Sequence, residues 1–175
     1  MSDEDFLGEK TPASPSGKSA AAKLGGMPRK EFEELVADAF LLVPEKFRSK
    51  VKNVALLVDD EPDAETLKEN NVPEGYTLFG LYRGIPLTER GDGYGVGGTL
   101  PDTITIFRNP IMEAAADEAG VGDLIAWGEE PTESMKKRIR TIIRDTIWHE
   151  IAHFFGMDEF DVGEREEEGT NEFKV

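Results

Sequence analysis

Both histidines of the chain lie four residues apart, and a glutamate directly follows the first: His149, Glu150 and His153. On a helix, positions i and i+4 share one face, so the two imidazoles can bind a single metal ion. The glutamate between them can then act on a water molecule at that ion. This spacing is typical of zinc hydrolases and predicts a Zn²⁺ site with Glu150 as the catalytic general base. The alternative interpretation is a pair of histidines that cap or pack a helix.

A catalytic zinc ion usually has three protein ligands, so the two histidines leave one ligand to be found. Gly156 can adopt a positive φ, end the helix and turn the chain back across the site. Glu159 follows this turn ten residues after His149, at the position of the third ligand in the longer HExxHxxGxx(H/D) pattern, and is the first choice. Asp158 is the reserve. The alternative for either carboxylate is a solvated surface charge, because charged residues are mostly exposed.

The composition predicts one soluble domain. A chain of 175 residues is long enough to bury a core, and the absence of cysteine excludes disulfides and thiolate metal sites. The N-terminus is acidic and has no apolar run of the length that a signal peptide or membrane span needs, which predicts a cytoplasmic protein. The net charge of −16 opposes nucleic-acid binding, which depends largely on Lys and Arg contacts to phosphate.

The sequence divides into a central domain and two tails. Residues 1–27 are rich in Ser, Ala, Gly, Pro and Lys, which predicts a disordered N-terminal tail. Residues 28–162 carry the apolar periodicity of a folded domain. Residues 163–175 begin with a run of acidic residues that lacks an apolar period, which predicts a disordered C-terminal tail.

Apolar periodicity places helices and short strands in this domain. Helical spacing predicts a first helix from Pro28 to about Val43 and shorter helices at 45–51, 63–70 and 109–119. Compact apolar runs bounded by turn residues predict strands at 54–58, 78–82 and 103–107. Residues 120–131 are predicted to be a connection. The last helix begins at the N-cap Thr132 and extends through Phe154, so that its final turns carry the two histidines.

Two further segments have competing interpretations. The glycine-rich segment 91–98 lacks the GKS or GKT ending and the following helix of a phosphate-binding loop, which predicts a flexible loop. Its Tyr94 is a candidate donor to an oxyanion, and a surface tyrosine without a catalytic role is the simpler interpretation. The basic residues near the start of the last helix are interpreted as a solvated helix face and not as an anion site.

Four segments of the chain together resemble one known family. They are Val54–Pro62, Leu78–Arg90, Leu100–Arg108 and His149–Glu159. The stretch that contains them is similar to the small bacterial zincin-like metallopeptidases, also called minimal zincins, a former domain of unknown function. The resemblance implies an α+β fold in which a small mixed sheet packs on two main helices, with the HExxH motif on the C-terminal helix and zinc bound by its histidines. Metzincins are excluded, because Glu159 replaces their third histidine and no methionine follows it to form a Met-turn.

The sequence therefore predicts a zinc-dependent metallopeptidase that acts on peptides or on a narrow protein target. Zinc lowers the pKa of water to about 7, and Glu150 can take the proton and return it to the leaving amine. In other zincins an edge strand aligns the peptide by β-augmentation, and residues 103–107 are the candidate here. An ordinary sheet strand is the alternative for that segment.

A catalytically silent zincin fold that stores metal or binds proteins is the alternative function. The intact Glu150 favours the enzyme, because a binding module gains nothing from a general base beside the metal. We expect a monomer without a membrane or nucleic-acid partner. The sequence does not identify the residues that bind the substrate.

Overall fold

The helices and strands of the domain follow the apolar pattern of the sequence. The computed structural model of the protein describes residues 10–12, 27–91, 94, 100–119 and 131–167. Its strands are β1 Lys10–Pro12, β2 Val54–Asp59, β3 Tyr76–Leu78, β4 Gly80–Arg83 and β5 Asp102–Phe107. Its helices are α1 Arg29–Leu41, α2 Glu45–Arg48, α3 Ala64–Glu69, α4 Arg108–Ala119, α5 Glu133–Phe154 and α6 Glu159–Glu167, and a 3-10 turn covers Leu87–Glu89. The helices predicted within residues 28–154 and the strands predicted at 54–58 and 103–107 are confirmed.

Side-chain caps fix where α3 and α5 begin. The hydroxyl of Thr132 accepts a hydrogen bond from the Met135 amide at 3.3 Å, which confirms the predicted N-cap of α5. The carboxylate of Asp63 likewise accepts a bond from the Thr66 amide at 2.7 Å at the start of α3. Among the described residues, no helix combines the length and the apolar character that a membrane span requires.

A three-stranded mixed sheet has the order β2-β5-β4. β2 runs parallel to β5 and β4 runs antiparallel to it. The prediction that residues 103–107 form a peptide-aligning edge strand is wrong, because β5 is the central strand and β2 and β4 occupy both of its edges. Propensity and apolar pattern identify a strand, but its neighbours are set by contacts between residues far apart in sequence.

The predicted strand at 78–82 is divided between two sheets. β3 pairs antiparallel with β1, whereas β4 pairs with β5. Phe79 lies between β3 and β4, and its carbonyl accepts a hydrogen bond from the Phe107 amide at 2.8 Å. The chain therefore changes its strand partner at Phe79.

The core lies between the sheet and the helices. α5 packs against α1, α4, β4 and β5. Its apolar stripe is fully buried at Met135, Ile139, Ile143, Ile147, Ile151 and Phe154. The α+β fold with a small mixed sheet packed on helices is thus confirmed, and α5 carries both histidines in its last two turns.

Two described elements, β1 and α6, include residues of the predicted tails. The pairing of β1 with β3 involves Lys10–Pro12, within the stretch predicted to be an N-terminal tail. At the other end, α6 crosses the predicted boundary at residue 163 and continues to Glu167. Val162, just before that boundary, is fully buried. The predicted connection at 120–130 and most of the glycine-rich segment lie outside the described residues.

Candidate metal centre

Three ionisable side chains lie buried in the last two turns of α5. His149 is 3% exposed, and Glu150 and His153 are 0% exposed. The helical repeat places the two imidazoles on one face, with ring centroids 4.8 Å apart. Burial of ionisable groups costs free energy unless they are paired or bind a metal ion. This cluster is therefore the first candidate for a functional site.

The chain reverses direction immediately after these turns. Gly156 has φ of +89°, a conformation that costs side-chain-bearing residues free energy. Its amide donates to the His153 carbonyl at 2.9 Å, and the Met157 amide donates to the Ala152 carbonyl at 3.1 Å. These two bonds form a Schellman motif, which ends α5 and carries the following residues back toward the histidines.

The same turn fixes the tautomer of His153. Its Nδ1 lies 2.9 Å from the carbonyl oxygen of Met157, which can only accept a hydrogen bond. Nδ1 therefore carries the proton, and Nε2 keeps the lone pair that a metal ion requires. Outer contacts of this kind orient histidine ligands in metal sites.

The carboxylate of Glu159 faces both imidazoles. Its Oε2 lies 3.3 Å from Nε2 of His153 and 3.6 Å from Nε2 of His149. The candidate ligand atoms of the three residues all lie within 4.8 Å of one another. Tetrahedral zinc with bonds of about 2.0 to 2.1 Å holds its ligand atoms about 3.3 Å apart. The structure thus brings together the three residues that the sequence selected as ligands, and the two distances from the carboxylate to the imidazoles are close to those in a zinc site.

The reserve residue, Asp158, has a different role. Its Oδ1 accepts a hydrogen bond from the Asp161 amide at 2.9 Å, and its carbonyl accepts one from the Val162 amide at 3.1 Å. It is therefore the N-cap of α6, which leaves Glu159 as the first helical residue. The cap directs the chain so that Glu159, and not Asp158, reaches the histidines.

Electrostatics favour an ionised Glu159. Burial alone would raise its pKa, but contact with His149 and His153, when their imidazoles are protonated, lowers the pKa to about 2. The side chain is 43% exposed, so it stands at the edge of the site while the imidazoles lie inside. Two imidazoles and an ionised carboxylate form a donor set that catalytic zinc sites use.

Glu150 is held by the sheet. Its Oε2 accepts a hydrogen bond from the Tyr82 amide at 2.7 Å. The backbone groups of successive residues in a strand face opposite edges, and the Phe79 carbonyl faces β5. The amide of Tyr82, three residues later, therefore faces the other edge of β4, toward α5. A Cβ at Gly80 would lie 2.6 Å from Cγ2 of Thr146, so glycine permits this close approach. The candidate general base is thus fixed against the outer edge of β4.

A comparison with protein families agrees with this geometry. Residues 51–127 match the family model of the zincin-like metallopeptidases. This match supports a small zincin-like family. It confirms the resemblance read from the sequence and supports a zinc metallopeptidase at the level of the family. The matched segment contains β2, β4 and β5 and ends before α5. No match was found among curated proteins.

Sequence reasoning missed a buried network beside the candidate metal centre. The carboxylate of Asp102 accepts bonds from the hydroxyls of Tyr82 at 2.6 Å and Tyr94 at 2.7 Å, and it forms an ion pair with Arg90. The hydroxyl of Tyr94 thus has a carboxylate partner. A lone acid at the start of an apolar strand was the available signal for Asp102, but such a residue usually faces solvent.

Proposed function

We propose that the protein is a zinc-dependent metallopeptidase in which His149, His153 and Glu159 hold the metal and Glu150 is the general base. The observation that carries the proposal is the convergence of two imidazole nitrogens on one carboxylate oxygen, which lies 3.3 and 3.6 Å from them, close to the ligand spacing of tetrahedral zinc. When bound, zinc supplies a Lewis acid that polarises a carbonyl group and makes water acidic near neutral pH. The family match supports this class of activity.

Glu150 performs the proton transfers in this mechanism. It takes a proton from the attacking water and then gives a proton to the nitrogen of the departing amine. The Tyr82 amide holds one of its two carboxylate oxygens and so fixes the plane of the group. Its position next to His149 and one turn before His153 keeps it beside the metal ligands throughout the reaction.

The substrate in this proposal is a peptide or a narrow protein target. We propose that the protein works as a monomer in the cytoplasm, as the sequence predicts. β5 cannot align the substrate, because both of its edges are paired. No other strand is assigned that role.

The catalytically silent scaffold is the second candidate, and one observation favours it. Glu150 and His153 are 0% exposed, so a polypeptide has little access to them in this conformation. A protein that only stores zinc, or that uses zinc to hold its fold, needs no such access. The charge on Glu150 separates the two functions, because a scaffold does not need a general base.

The experiment combines metal analysis with one isosteric substitution. Purified wild-type protein should contain one zinc ion per chain and cleave members of a peptide library. Glu150→Gln should keep the zinc and lose about 10² to 10⁴ in rate, the usual contribution of a positioned base. His149→Ala should lose both zinc and activity. Glu164→Gln, at an exposed position of α6, is the matched control and should change neither.

Three results would contradict the peptidase. Equal cleavage by wild type and Glu150→Gln would assign the activity to a contaminant or to another site. Zinc binding by both proteins without cleavage of any library member would favour the scaffold. Absence of zinc from the wild type after reconstitution would contradict both functions.

A further inference from the structure

Tyr82 connects the candidate general base to a second buried carboxylate. Its amide donates to Glu150 at 2.7 Å, while its hydroxyl donates to Asp102 at 2.6 Å. Its ring also contacts the ring of Phe154 edge to face, with centroids 6.1 Å apart. One residue of β4 therefore contacts both α5 and β5, and the bond from its hydroxyl to Asp102 holds the outer end of its side chain.

Asp102 is a rigid anchor for that hydroxyl. The residue is 5% exposed and accepts bonds from Tyr82, Tyr94 and Arg90. A Cβ at Gly84 would overlap the Asp102 carboxylate, so the glycine makes room for it. A buried carboxylate with three donors is held in place, because the loss of any donor leaves a desolvated charge partly unpaired.

Arg90 ties the same anchor to the end of α5. Its side chain is 8% exposed, and its guanidinium lies 4.6 Å from the centroid of the Phe154 ring. Its Nε donates to the Ile85 carbonyl at 2.8 Å, which fixes the segment that leads to the 3-10 turn. The network thus reaches β4, β5 and the final turn of the helix that carries the histidines.

The Tyr82 hydroxyl remains a donor under ordinary conditions. Burial raises its pKa, the bond to Asp102 and the negative charge of that residue raise it further, and Arg90 lowers it by a smaller amount. The phenol therefore keeps its proton across the neutral range. β4 is a short strand, the preceding strand β3 belongs to a different sheet, and Gly84 follows β4 in the sequence. The ladder between β4 and β5 alone therefore holds β4 only weakly.

We propose that Tyr82 and Asp102 are positioning residues for Glu150: the bond from the Tyr82 hydroxyl to Asp102 sets the place of the Tyr82 amide, and that amide sets the orientation of the general base. The catalytic part of this statement rests on the proposed peptidase function. The geometric part does not, because it concerns only the amide of residue 82 and the carboxylate of Glu150.

The test removes the hydroxyl and observes the amide. In Tyr82→Phe, nuclear magnetic resonance of the full-length, zinc-loaded protein should show a shift of the residue 82 amide proton toward its position in Glu150→Ala. Hydrogen exchange at that amide should accelerate about tenfold, while core amides of α1 keep their wild-type rates. Asp102→Asn should give the same local change. Tyr76→Phe, at an exposed tyrosine of β3, is the matched control and should leave the amide unchanged.

The kinetic arm separates positioning from general loss of structure. For an active peptidase, Tyr82→Phe should lower kcat about tenfold at unchanged KM and unchanged zinc content. An unchanged residue 82 amide in both variants would overturn the proposal. Equal acceleration of exchange throughout the core would also overturn it, because the network would then be only structural. If wild type shows no peptidase activity, the proposed function fails, and the amide result still decides the positioning role.

Discussion

The carboxylate of Glu159 lies 3.3 Å from Nε2 of His153, although the helix that carries His153 ends at Phe154. The Schellman turn at Gly156 reverses the chain, and the Asp158 cap starts the next helix one residue before Glu159. Both features depend on residue types close together in sequence. The position of the third candidate ligand is therefore encoded locally, which explains why spacing alone selected it.

Removal of the Glu159 carboxylate should weaken zinc binding strongly. Glu159→Ala should lower the affinity at least about 100-fold, because loss of an outer contact to a ligand already costs about 10- to 100-fold. Asp158→Ala should act indirectly and more weakly, through a helix cap that contributes about 0.5 to 2 kcal/mol to stability. Competition with a zinc chelator measures the affinity of each variant.

Glu164→Ala is the control for these two substitutions, since it removes an exposed acid from α6. It should bind zinc as the wild type does. Equal affinities of Glu159→Ala and Glu164→Ala would remove Glu159 from the site and direct attention to Asp158 and Asp161.

Gly156→Ala should destabilise the fold and weaken zinc binding together. The positive φ costs an alanine about 1 to 2 kcal/mol, and its Cβ would overlap Oγ1 of Thr88, a steric cost of about 1 to 3 kcal/mol more. Gly75→Ala is a matched control, because Gly75 has φ of +83° and open space at its Cβ position. Thermal unfolding should show the larger loss for Gly156→Ala. Equal losses for the two variants would show that the Thr88 contact has no effect.

The sequence predicted the candidate ligands because their relationship is local. His149 and His153 are one helical turn apart, and Glu159 follows a glycine turn, so helix geometry and turn chemistry suffice to bring them together. The helices within residues 28–154 and the strands at 54–58 and 103–107 were predictable for the same reason. Each is defined by the residues within it, and its apolar spacing can be read directly.

The contacts that support the site were not predictable, because they join distant segments. The bond from the Tyr82 amide to Glu150 spans 68 residues, and the Tyr82 hydroxyl reaches Asp102 across the sheet. Neither residue belongs to a motif with chemical meaning on its own. The central place of β5 has the same cause, since the order of strands depends on which ladders form in three dimensions.

Glu113→Gln should stabilise the protein at neutral pH. Burial raises the pKa of Glu113, and the charges of Glu61 and Asp117 raise it further. Its charge therefore opposes folding at pH 7. Stability associated with its protonation is fully present below the unfolded value of about 4.3 and is lost as pH rises through the raised folded value.

The measurement for Glu113→Gln is the unfolding temperature as a function of pH. The variant should exceed wild type at pH 7, and the difference should disappear below about pH 4, where the native carboxyl is protonated. Glu74→Gln, at an exposed position outside this cluster, should show no such pattern. A difference that persists unchanged to low pH would assign the gain to packing and not to charge.

Deletion of residues 1–26 should leave the fold and the metal centre intact, because the segment has too few large apolar residues to join the core. In the described part of this segment, the three residues of β1 pair with β3, and both strands are far in sequence from the histidines. Deletion of residues 1–9 keeps β1 and is the matched control. The longer deletion should unfold at a slightly lower temperature than the shorter one and bind zinc equally well. A large cooperative loss of stability, or weaker zinc binding, confined to the longer deletion would make β1 an integral part of the domain.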